Sequence, residues 1–193
     1  MALAKSSQIA DARGFSILEV VIATAIMVVA VASLGQLFAL STRRNTASKN
    51  TTFAAVLAQQ KMEQLRSLTW GFDTLGLPTS DITTDTTVVP EKATGGTGLS
   101  PSPSNTLRSN TIGYVDYLDK NGNSLGGTTT TPPGNAMYIR RWMIEPLPTN
   151  PNNTIVLQVM VTRYRDRGTA DTGTDVRLPD EARMISVKTR KAY

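Results

Sequence analysis

From Phe15 to Leu40 the chain reads FSILEVVIATAIMVVAVASLGQLFAL, and the only charge in that run is Glu19. From Val20 to Thr42 there is no charge at all. A helix of about 20 such residues, rising 1.5 Å each, spans a bilayer core of about 30 Å. A helix that is apolar all round has no stable place on the surface of a water-soluble domain, so this segment predicts a membrane span or a helix packed among other helices. A polar stretch containing Lys5 and Arg13 precedes it, and Arg43 and Arg44 close it. With basic residues on both sides, the positive-inside rule gives no orientation.

What remains after that segment is enough for one globular domain, since the whole chain has 193 residues. It contains no cysteine and no histidine. That excludes disulfides, thiolate or imidazole metal sites, Ser-His-Asp triads and Cys-His pairs, and leaves only carboxylate, Lys or Tyr chemistry open to an enzyme. No paired-acid motif stands at a diagnostic position, so neither catalysis nor a metal or cofactor is expected. The formal charge of +5 is spread along the chain rather than gathered in a basic tail, and it does not call for nucleic acid.

The apolar run admits two processing sites. A secretory signal is cut after its apolar stretch, and Ala30-Val31-Ala32 ahead of Ser33 fits the small-x-small pattern. That cut would release a soluble secreted binding domain or hydrolase, but it leaves LGQLFAL exposed at the new terminus and gives Glu19 no role. The other site lies before the run, between Gly14 and Phe15. There the sequence RGFSILEVVIA resembles the prepilin signature of type IV pilins and type II secretion pseudopilins. The resemblance implies cleavage after Gly14 by a prepilin peptidase, N-methylation of Phe15, and a glutamate, Glu19, at the fifth mature position.

Physical chemistry gives Glu19 a reason. A carboxylate in a membrane helix costs about 3 kcal/mol at the bilayer centre, which by default marks a function. Near a helix end it can snorkel to the headgroups. Cleavage after Gly14 would also create an α-amino group at Phe15, one turn from the carboxylate, able to pair with Glu19 of the same chain or of a neighbour in a filament core. The family resemblance favours the neighbour.

Beyond Arg44 the helix is expected to continue. STRRNTASKNTTFAAVLAQQKMEQLRSLTW holds no Pro or Gly, and Phe53, Val56, Leu57, Leu65 and Leu68 recur at three- and four-residue spacing. Arg43, Arg44, Lys49, Lys61, Glu63 and Arg66 then read as its solvated face. LAQQKMEQLRSL resembles the corresponding stretch of PilV-type minor pilins and of I-type minor pseudopilins.

Residues 71–135 are rich in Thr, Ser, Gly, Pro and Asp and read as loops. Within them GGTG, lacking the lysine of a phosphate-binding loop, reads as a flexible linker. IGYVDYLD is a short strand candidate leading to a turn at Asn121-Gly122. Asp119, Asn121 and Asn123 have some of the spacing of a calcium loop, but Gly and Glu are misplaced, and a plain turn is expected. MYIRRWMIEPL sets Tyr138, Arg140, Trp142 and Ile144 on one face. TIVLQVMVTRYRD sets Ile155, Leu157, Val159 and Val161 on one face, and ARMISVKTR pairs Ile185 with Val187 in phase. Arg163, Arg165 and Arg167 alternate into a candidate basic patch, read as solvated strand-end arginines. Trp70 and Trp142 read as helix-end and core packing.

The expected fold is therefore α+β: a long N-terminal helix, half membrane-spanning and half amphipathic, packed on a small antiparallel sheet. The expected organisation is a leader at 1–14, an apolar helix at 15–42, its amphipathic continuation at 43–70, and a C-terminal domain at 71–193 with strands in 137–190. The pattern Tyr-x-Arg-x-Trp followed by a long Val/Ile strand again resembles the PilV-type minor pilins. That resemblance implies a non-enzymatic subunit priming or modifying a type IV pilus, in motility or adhesion. Its partners would be the prepilin peptidase and other pilins. It would be held in the inner membrane with its C-terminal domain in the periplasm, and later in an extracellular filament. A minor pseudopilin of a type II secretion system is the alternative.

Overall fold

A computed structural model describes residues 14–164 and 181–191. The first element is a continuous helix, α1 (Ile17–Ser67). Six strands follow: β1 (Trp70–Phe72), β2 (Pro78–Ser80), β3 (Val115–Leu118), β4 (Tyr138–Pro146), β5 (Thr154–Arg163) and β6 (Ala182–Thr189). β1 and β2 form a two-stranded hairpin, and the other four make an antiparallel sheet in the order β3-β4-β5-β6. The α+β architecture expected from the sequence is the one observed. The chain divides into two compact units, Met1–Asn45 and Thr46–Tyr193, and α1 contributes residues to both.

In the first unit every described residue of α1 is exposed. In the second, α1 buries Ala54, Leu57, Ala58, Met62 and Leu65 against Tyr138, Trp142 and Ile144 of β4 and Ile155, Leu157, Val159 and Val161 of β5. The alternation read from the sequence puts these strand residues on one face, as the pleat requires. Phe53 and Leu68 pack at the margin of this core, and Phe53 meets the Tyr138 ring at 5.5 Å between centroids. Val56, expected in the core, is 56% exposed. It lies next to Leu57 around the helix, on the side turned away from the sheet.

β6 reverses its expected polarity. Leu157 pairs with Ser186 and Val159 with Met184, so Ala182, Met184, Ser186 and Lys188 share the core face. Ile185 and Val187 therefore point outward, 63% and 58% exposed. The register follows from Lys188, whose Nζ donates to the carbonyls of Leu65 (3.4 Å), Arg66 (2.6 Å) and Leu68 at the end of α1. Those carbonyls have no intrahelical partner, and a cation there also complements the helix dipole. Arg190 adds a second tie: it donates to Gly71 O (3.0 Å) and Thr79 O (2.7 Å) and stacks 3.8 Å from the Trp70 ring centroid.

The long connection between β2 and β4 is more ordered than its composition suggested. Leu99, Leu107 and Tyr114 are buried, and Ser102 is tied to β4, its N–H donating to Ile144 O at 2.9 Å and its Oγ accepting from Ile144 N–H at 3.1 Å. GGTG is no flexible linker. A Cβ on Gly96 would stand 2.2 Å from Asp85 Cα, and one on Gly98 would stand 2.4 Å from Asp81 O. The glycines are there because another backbone passes at contact distance. A second small cluster, Val115, Tyr117 and Ile139 with Leu125, Ala136 and Tyr164, covers the outer face at β3 and β4.

Candidate functional site

Two places bring together residues that sequence reasoning would single out, or should have. The first is the start of α1. Ser16 caps it: its Oγ accepts from Leu18 N–H at 3.3 Å and its carbonyl from Val20 N–H at 3.1 Å. Gly14 has open space where a Cβ would stand, and Phe15 is 82% exposed. Residues 1–13, the rest of the expected leader, lie outside the described residues.

Glu19 sits in the first turn of α1, where a carboxylate interacts favourably with the helix dipole. Among the described residues it has no ion-pair partner. Three hydroxyls along this stretch, by contrast, bond back to the helix itself. Thr24 donates to Val20 O and Val21 O at 2.9 Å, Ser33 to Val29 O at 2.8 Å, and Thr42 to Phe38 O at 2.9 Å. Such back-bonding lets hydroxyls enter hydrocarbon without an orphan donor. The segment is long and apolar enough to cross a membrane, with a mean hydropathy of 2.6 over its best window. Glu19 is the one charged group in it.

The second place was missed. Lys61, assigned to the solvated face, is fully buried, as are Asp116 of β3 and Arg140 of β4. Lys61 Nζ lies 2.9 Å from Asp116 Oδ2. Arg140 grips the same carboxylate, with Nη2 at 2.7 Å from Oδ2 and Nε at 2.9 Å from Oδ1. Each cation also reaches the backbone: Lys61 donates to Thr86 O, and Arg140 Nη1 donates to Leu57 O at 3.0 Å. Lys61 further lies over the Trp142 ring, 4.3 Å from its centroid. Two cations share one anion here.

Burial therefore dominates Lys61 and lowers its pKa to about 8, against the attraction of Asp116. For Asp116, desolvation would raise the pKa, but Lys61 and Arg140 together outweigh it and hold the carboxyl below its ordinary value. With the carboxylate ionised and all its neighbours donating to it, the cluster joins α1, the Thr86 loop, β3 and β4. A signal was present in the sequence. Lys61 falls four residues from both Leu57 and Leu65, Asp116 interrupts an apolar strand, and Arg140 shares its phase with Trp142 and Ile144. Three charges of both signs on apolar phases point to one buried cluster.

The remaining candidates resolve as follows. Asp119 accepts the amides of Asn121 (2.8 Å) and Asn123 (2.9 Å), and Gly122 holds φ +85°. This is a glycine-closed turn whose carboxylate is already occupied. Among the described residues no group of three or more His, Cys, Asp or Glu could hold a metal ion. Trp142 is buried in the core and Trp70 packs under Arg190 beyond the helix end. Arg163 ends β5, while Arg165 and Arg167, the rest of the proposed basic patch, lie outside the described residues. No protein family, curated protein or solved structure matches the chain.

Proposed function

We propose that the chain is a type IV pilin-like filament subunit, processed between Gly14 and Phe15. The observation that carries this reading is the composition of α1. One helix begins with a fully exposed apolar segment holding a single acid, Glu19, in its first turn, and ends as the central core element of an α+β domain. A simple secretory signal would be discarded, so it would have no reason to continue unbroken into the domain core. A bilayer anchor alone would not need Glu19. A subunit stored in the membrane and then packed helix to helix in a filament uses both features.

Within that class we read the chain as a PilV-type minor pilin, with the prepilin peptidase and other pilins as its partners. The sequence LAQQKMEQLRSL and the Tyr138-Arg140-Trp142 strand support the narrower reading. The test is N-terminal mass spectrometry of the protein purified from membranes. A mature chain starting at an N-methylated Phe15 is expected, and a start at Ser33 would refute the proposal.

A further inference from the structure

We propose that β6 is a self-association strand, pairing antiparallel with β6 of a second copy about Ile185, a property that goes beyond the pilin reading. The direction of the backbone groups gives the first support. Arg190 N–H donates to Asn153 O at 2.8 Å, inward to the β5 side, whereas Lys191 N–H donates to Trp70 O at 3.2 Å, on the opposite side. Amides alternate along a strand, so Arg183, Ile185, Val187 and Thr189 turn theirs away from β5. Among the described residues nothing pairs with them over Ala182–Thr189, and β6 ends the sheet order.

The side chains at those same positions give the second support. Monomeric proteins blunt an edge with lysine, proline or a bulge. Here the residues with open amides include Ile185 and Val187, 63% and 58% exposed, beside Val156 of β5. Eight residues run without Gly or Pro. β-Branched residues on an open, regular edge are what strand addition uses.

The occupant and the register come from the ends of the strand. β1 takes the edge at Lys191, so a partner strand must stop short of it. Pairing centred on Ile185 does so: Ile185 faces Ile185 of the second copy, and Arg183 faces its Val187. No cation then opposes a cation, because Lys188 faces Ala182. A register centred one residue later would push the partner's Glu181 against Lys191, whose amide Trp70 already holds. Self-pairing in this register thus satisfies the open backbone groups of β6 without setting like charges against each other.

The absence of cysteine makes the test direct. Residues directly opposite in such a ladder have Cα atoms about 5.5 Å apart, within disulfide reach. Full-length protein carrying Ile185→Cys is oxidised in its membranes and run without reductant, beside full-length protein carrying Leu75→Cys, an 81% exposed position on the β1–β2 turn. We expect covalent dimer from the first at least tenfold above the second. Adding Val187→Lys sets a lysine against Arg183 and abolishes it, and Arg183→Glu on top restores it. Equal cross-linking at both cysteines, cross-linking only to another protein, or indifference to the charge swap would overturn the proposal.

Discussion

The Lys61 ammonium and the Asp116 carboxylate stand 2.9 Å apart with neither side chain exposed to solvent, and Arg140 holds the same oxygen from the other side at 2.7 Å. One anion neutralises only one of the two cations, so the three side chains differ in what their loss does. Asp116→Asn leaves both cations buried without a counter-charge and is expected to cost about 3–5 kcal/mol. Lys61→Met leaves the balanced Asp116–Arg140 pair and fills the same space, so its cost is expected within about 1.5 kcal/mol. Urea denaturation of the second compact unit, Thr46–Tyr193, measures both. Equal losses would mean that Lys61 is required for charge balance.

The same cluster sets a pH dependence. Lys61 has a pKa of about 8 when folded and 10.5 as an ordinary lysine, so between those values the unfolded chain binds more protons. Stability must therefore rise with pH across that window, by about 1.4 kcal/mol per pH unit for a fully shifted group. Lys188, also lowered to about 8 by burial, acts in the same direction. Burial raises Tyr117 to about 12 from an ordinary 10, so its contribution is lost as pH climbs through that higher range. The denaturation midpoint is expected to increase from pH 7.5 to 9.5 and to fall above pH 10.5. In Lys61→Met the first rise should shrink to the smaller share owed to Lys188.

Gly96 tests whether the Thr-rich connection is structured. An alanine there would drive its Cβ into Asp85 Cα and Thr84 O at 2.2 and 2.3 Å, so Gly96→Ala is expected to cost about 1–3 kcal/mol. Gly134→Ala, with nothing within 4 Å of the new atom, should stay within about 0.5 kcal/mol of the parent. Thermal melts of the two variants decide between a packed segment and a linker. Two unchanged melting temperatures would restore the linker reading.

Glu19→Ala separates insertion from assembly. Removing the charge makes the apolar helix easier to insert, so membrane fractions and cleavage after Gly14 should be unaffected. If the carboxylate pairs with a neighbouring amine during assembly, the variant should stay in the inner membrane and be missing from sheared filaments, with Glu19→Gln between. Immunoblots of both fractions provide the measurement. Normal incorporation of the alanine variant would mean that Glu19 only snorkels.

Much of this architecture is legible in the residues because burial imposes periodicity. Leu57 and Leu65, and the alternation from Ile155 to Val161, place the helix and the central strands on one core. β6 was misread because its apolar residues, Ile185 and Val187, are the outward ones, and Lys188 decides the register through helix-end carbonyls distant in sequence. Lys61 was misread for a related reason. A charge in an apolar phase looks like a helix boundary or a solvated face until its partners, supplied here by β3 and β4, are known. The glycines of GGTG carry no local sign of the backbone that crosses them.

Lys188 also bears on the order in which the molecule can be completed. It closes the end of α1 from a position 123 residues further along the chain than Leu65. A polypeptide emerging from its N-terminus exposes α1 well before the strand whose lysine closes it. Until β4 and β5 follow, the core face of α1 lacks the strands that cover it, and until β6 follows, the carbonyls at its end lack the lysine that binds them.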